Sequence, residues 1–103
     1  MNKLQKLMKD LYLQKDQQRG LEKTLLWLVS EIGEVSDLVA KNGNYKHDEN
    51  IKQELKLEIA DCQAWLYSVA NLLEIDVEQA FFEKYPHKCP RCGNNPCICI
   101  ENS

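Results

Sequence analysis

Two acidic pairs with the same internal spacing, Glu31-Ile-Gly-Glu34 and Glu58-Ile-Ala-Asp61, lie inside two strongly apolar runs of the chain. Stepping about 100° per residue around Leu28 collects Leu21, Thr24, Ile32, Val35 and Val39 on one helical stripe, with Glu31 among them and Glu34 at its edge. The same step around Leu55 collects Ile51, Cys62, Trp65, Leu66, Val69 and Leu73, with Glu58 inside the stripe and Asp61 at its edge. Acids on buried stripes repel. Two ionised carboxylates about 4 Å apart do so by roughly 4 kcal/mol at an effective dielectric near 20, before any desolvation is added. Protonation relieves part of this by raising the pKa values, whereas a divalent cation relieves all of it. Hard oxygen donors suit magnesium or manganese, and magnesium keeps waters and takes phosphate oxygens, so the pattern fits a metal-bound phosphate substrate. Glu22, Asp37, Glu49 and Glu83 point away from the apolar stripes and are expected to be solvated, while Glu54 sits on the Asp61 edge one turn earlier. A di-iron carboxylate bundle would need Glu-x-x-His from two helices, and the two histidines, His47 and His87, fall outside the helical runs.

A second set of chemistry-bearing residues lies near the end of the sequence. Cys89, Cys92, Cys97 and Cys99 follow a C-x2-C-x4-C-x-C pattern, and Gly93 after the second thiol lets the backbone turn its amides toward sulfur. Four soft ligands in so short a span form a candidate zinc knuckle, with free thiols and a redox role as the alternatives. The fifth cysteine, Cys62, reads as a small core residue.

The elements that must position these groups are helical. Leu4, Leu7, Met8, Leu11 and Tyr12 recur at helical spacing and predict a first helix over 2–17, ended by Arg19-Gly20. A second runs from Leu21 to Lys41 and stops at Asn42-Gly43-Asn44. Asp48 opens a third over 49–73, and Asp76, with Gln79 at the capping-box distance, opens a short fourth that Pro86 ends. No stretch alternates with strand period. The expectation is an all-α, four-helix bundle over residues 1–86 and a short cysteine-rich C-terminal tail over 87–103. Shifting the second helix by twenty-seven residues lays Glu31 on Glu58 and Glu34 on Asp61, so both helices are expected to aim their acids at one cavity.

At 103 residues the chain has a modest core, and self-association would help it. A formal net charge of -3 without a basic cluster argues against nucleic acid as the main partner. The first twenty residues carry charges every few positions, giving neither a signal peptide nor a membrane span. An odd cysteine count with four thiols crowded together suits metal ligation in a reducing compartment, so a cytoplasmic location is expected.

The runs LLWLVSEIGEVSDLV and ELKLEIADCQAWLYSVANLLEIDVEQAFFEKYP, with E-x-x-E preceding E-x-x-D and Gly33 inside the first pair, resemble the MazG-like all-α nucleoside triphosphate pyrophosphohydrolases over roughly residues 15 to 86. The resemblance implies that Glu31, Glu34, Glu58 and Asp61 hold magnesium, with manganese as a substitute. It implies cleavage of a nucleoside triphosphate to the monophosphate and pyrophosphate, and association as a homodimer or homotetramer. Many relatives carry Glu where this chain has Ser30, which keeps the four-acid set and bears on how the attacking water is held. Lys84, after Phe81-Phe82, resembles a basic position of relatives and is the first candidate for the phosphates, with Lys15 and Arg19 behind it. Trp27, on the Glu34 edge, divides between packing and stacking on the base, whereas Trp65 is expected in the core; Asn71 lies off the apolar stripe, where a contact to substrate or a neighbouring subunit is a minor alternative. The alternative function is a catalytically weak binding module of the same fold whose zinc tail meets a partner.

Overall fold

Asn2, Asp48 and Asp76 each stand in extended backbone and accept hydrogen bonds from amides two or three residues on: Gln5 N–H, Asn50 and Ile51 N–H, and Gln79 N–H respectively. These side chains satisfy donors that a helix start leaves free, and they fix where three helices begin. The computed structural model describes residues 1–100 and contains α1 (Lys3–Arg19), α2 (Leu21–Lys41), α3 (Glu49–Leu72) and α4 (Val77–Lys84). No strand occurs among the described residues, so the expected all-α class is the observed one. The last three tail positions, 101–103, lie outside the described residues. Gly20, at φ +90°, makes the break between α1 and α2, and its N–H closes α1 on Asp16 O at 2.8 Å. A side chain there would be strained. No helix among the described residues is long and apolar enough to cross a membrane.

Joined by residues 42–48, α2 and α3 pack on each other as a hairpin, and α1 packs on α3 with much less contact to α2. The core is small: Leu28, Tyr67, Val69 and Ala70 are its buried apolar members. Several residues placed on the apolar stripes are exposed instead, among them Ile32, Val39, Leu66 and Leu73. The reason is architectural. Three helices side by side cover one flank of each stripe and leave the other uncovered within a single chain.

On α1 the expected apolar face, Leu4, Leu7, Leu11 and Tyr12, is largely outside, and the fully buried residues are Gln5 and Asp16. Gln5 Nε2 donates to Asn71 Oδ1 at 3.0 Å and to Ile75 O at 2.7 Å, and its Oε1 accepts from Val77 N–H at 2.9 Å. Asn71 Nδ2 donates back to Gln5 O at 3.3 Å. Asn71, which lies off the apolar stripe of α3, is therefore part of a polar clasp that ties α1 to the end of α3 and the start of α4. Nearby, Tyr67 Oη accepts from Asn2 Nδ2 at 3.0 Å and from Gln63 Nε2 at 2.7 Å.

Removing the clasp leaves buried partners unpaired, at about 2 kcal/mol or more for the group. Gln5→Ala is expected to lower the unfolding free energy by that amount, read from urea denaturation followed by the helical circular-dichroism signal, whereas exposed Leu7→Ala is expected to change it by less than about 0.5 kcal/mol.

Candidate functional site

The α2–α3 hairpin brings acids from both helices together. Glu31, Glu34 and Glu58 each offer a carboxylate oxygen, and these three oxygens lie within 4.8 Å of one another. Glu34 is exposed, while Oε2 of Glu31 and Oε2 of Glu58 are shielded from solvent and have no hydrogen-bond partner. The electrostatic consequence is direct. The neighbouring Glu34 and then Glu31 carboxyls, with burial adding, push the Glu58 pKa up to about 7. Burial pushes Glu31 up, and the charges of Glu34 and Asp61 add to it. Burial also raises the Cys62 thiol, with the acids Glu31 and Glu58 reinforcing the shift.

Asp61 stands apart from this triangle, although its charge reaches Glu31. It is exposed and lines a neighbouring cavity of about 360 Å³, together with Tyr12, Lys15, Asp16, Arg19 and Trp65. Two of the candidate phosphate-binding cations, Lys15 and Arg19, thus share a wall with one acid of the motif. Lys84 does not line that cavity: it ends α4 with its Nζ 5.6 Å from the centroid of the Tyr85 ring.

Arg19 is the organising cation of the cavity. Its Nη1 is 2.8 Å from Asp16 Oδ1 and 3.4 Å from Thr24 Oγ1, and its guanidinium carbon lies 4.7 Å from the centroid of Trp65. Trp65 in turn stacks on Trp27, with centroids 6.0 Å apart and planes 14° apart. Guanidinium, indole and indole form one layered column, in which Trp65 is half-buried and Trp27 keeps about half its surface in solvent. Asp16 was not anticipated as a site residue. It is buried, with Oδ2 shielded and unpartnered, and the signal that could have found it is Asp16-Gln-Gln-Arg19, an oppositely charged pair at i,i+3.

The four tail cysteines also converge, each placing its Sγ within 4.8 Å of the other three, and such a cluster could bind a metal ion. The backbone amides of Ile98 and Asn94 pull the Cys92 pKa down to about 6, and those of Cys92 and Arg91 lower Cys89. Cys99, crowded by the sulfurs of Cys97, Cys92 and Cys89, is pushed up to about 12. One thiolate is ready at neutral pH and another is opposed by its neighbours.

The family model described as the MazG nucleotide pyrophosphohydrolase domain matches residues 19–93, most of the chain, and takes in the four acids, both tryptophans and the first two tail cysteines. No curated protein matches the sequence.

The raised acid implies a pH dependence whose sign is fixed. Glu58 titrates near 4.5 when unperturbed and near 7 in the folded chain, so the folded state binds the extra proton between those values. Its contribution is fully present below about pH 4.5 and is lost as the pH rises through about 7. Thermal unfolding in chelator is expected to give a melting temperature that falls from about pH 5 to about pH 8, and Glu58→Gln is expected to flatten that fall. A melting temperature that rises across the window would contradict the crowded-acid geometry.

Proposed function

The chain belongs to the MazG nucleotide pyrophosphohydrolase domain family, and we propose that it hydrolyses nucleoside or deoxynucleoside triphosphates to the monophosphate and pyrophosphate, in nucleotide-pool housekeeping. Magnesium, with manganese able to replace it, is held by Glu31, Glu34, Glu58 and Asp61. The observation that carries this reading is the pair of shielded, partnerless carboxylate oxygens on facing helices. A magnesium ion takes oxygens at about 2.1 Å, so any two of them lie within about 4.2 Å. Three oxygens within 4.8 Å need only a small closure to fit. When bound, the ion supplies positive charge that neutralises the acids and draws in the phosphate oxygens.

The chain's own residues do the rest. One carboxylate of the Glu31/Glu34 pair accepts the proton of the water that attacks the α-phosphorus, and the α–β anhydride bond breaks to release pyrophosphate. Lys15 and Arg19 meet phosphate oxygens, a reading supported by their sharing a cavity wall with Asp61, while the half-exposed indole of Trp27 offers a stacking face for a base. Lys84, at the end of α4, is a further basic contact for the triphosphate. The uncovered apolar residues of α2, Leu25, Leu26, Val29 and Ile32, support assembly as a homodimer or homotetramer. Reduced thiols and a nucleotide substrate both suit the cytosol.

Two measurements test the proposal. A panel of ordinary and modified triphosphates with magnesium is expected to give pyrophosphate rather than phosphate, with Glu58→Gln lowering turnover by about a thousandfold while the helical signal stays. Release of phosphate, or an inert wild-type chain across the panel, would refute the assignment and favour the binding module. Sedimentation is expected to give a dimer or tetramer that Val29→Glu shifts toward monomer.

A further inference from the structure

Outside the carboxylate site, the tail holds a complete set of four ligand-type side chains, and the geometry points to a structural zinc ion bound by Cys89, Cys92, Cys97 and Cys99. Cys89 Sγ and Cys99 Sγ are 3.7 Å apart, and Cys92 Sγ and Cys97 Sγ are 4.0 Å apart. Tetrahedral zinc with bonds to sulfur of about 2.3 Å holds its ligands about 3.8 Å from one another. The two observed separations involve different sulfurs, so they correspond to two opposite edges of one such tetrahedron. A disulfide needs about 2.05 Å, which neither pair approaches, and all five cysteines are free.

The backbone is wound as a thiolate cage requires. Cys89 N–H donates to Asn94 O at 3.0 Å, and Gly93 N–H donates to Cys89 O at 2.8 Å, closing a tight loop over the first two ligands. Gly93 makes that loop at φ +73°, a conformation that favours glycine. Cys99 N–H points at Cys97 Sγ at 3.3 Å, the kind of contact that stabilises charge on coordinated sulfur.

An ion also answers a question of folding free energy. Residues 85–100 contain no helix or strand, and the tail's aliphatic side chains, Ile98 and Ile100, are 70% and 87% exposed. Burial therefore offers almost nothing against the entropy of fixing this segment, whereas binding one ion to four thiolates does. The thiols release their remaining protons to solvent on coordination and no electron is transferred. Four protein ligands fill the tetrahedral shell, so the site has no open position for water and is structural rather than catalytic. Its anchor is local: Asn95 Nδ2 donates to His87 O at 3.0 Å, and the His87 ring lies 5.2 Å from Phe82, so the caged loop is held against the end of α4.

The test uses the full-length chain, stripped of metal under reducing conditions and titrated with cobalt(II). One equivalent is expected to give the strong visible bands of tetrahedral cobalt and the thiolate-to-cobalt charge-transfer band, both bleached by one equivalent of zinc. Cys92→Ser and Cys99→Ser are each expected to weaken zinc binding by at least about a hundredfold. Cys62→Ser and Glu58→Gln are expected to leave the cobalt spectrum unchanged, which separates the tail from the carboxylate site. The helical circular-dichroism signal checks that each variant is folded, and the wild-type titration stands by itself if one is not. Weak octahedral bands, a spectrum unaffected by Cys92→Ser, or a preference for iron over zinc when both are offered would overturn the inference. None of these readouts depends on triphosphate turnover, so the outcome is independent of the hydrolytic activity.

Discussion

Carboxylates gathered out of water exert a pressure that the surrounding structure must either resist or use, and in this chain the pressure falls on the contact between α2 and α3. Glu31 and Glu58 turn one oxygen each inward, away from solvent and from every donor. Hydrophobic packing around Leu28 and Val69 holds the helices together against that repulsion. Glu34 and Asp61 stay exposed, so the acid cluster has an inner side that is shielded and an outer side that is open. Such a site is prepared for charge delivered from solvent rather than for a partner already in the protein. The raised affinity of Glu58 for a proton expresses the same demand met by the smallest available cation.

The polar residues of α1 make the arrangement specific. An apolar face on α1 could slide along α3 with little loss, whereas Gln5 bonded at once to Asn71, Ile75 and Val77 permits one register. That register sets the far end of the helix. Asp16 and Arg19 arrive beside Trp65, and Lys15 faces the cavity that Asp61 also lines. Asp16 holds Arg19 by one oxygen and keeps the other unpaired, so the guanidinium is fixed in place over the indole.

The four helices and their starts were legible because capping obeys local rules: Asp48 and Asp76 act where their spacing places them, and Gly20 breaks the chain where helix continuation fails. The family was legible too, through the acidic pairs and the residues around them. Which apolar side chains are covered was not, because a helical wheel describes one helix and cannot tell how many neighbours it has. Ile32 and Leu66 obey the periodicity and are still exposed, since only one flank of each stripe meets another helix of the same chain. The buried face of α1 was hidden for a different reason: Gln5 and Asp16 look like surface residues until their partners, from Asn71 to Arg19, are known. Three of the four acids were brought into one triangle, and the place of Asp61 beside it depends on side-chain direction that spacing alone does not carry. The column of Arg19, Trp65 and Trp27 joins three helices, and no local pattern announces it.

The clasp on Gln5 spans sixty-six residues of chain to reach Asn71, whereas α2 and α3 meet across a short loop. Closing the long circuit costs more chain entropy than closing the hairpin, so the acid-bearing hairpin has the lower contact order and the first chance to assemble. It must do so with its internal repulsion already present and without the bracing of α1.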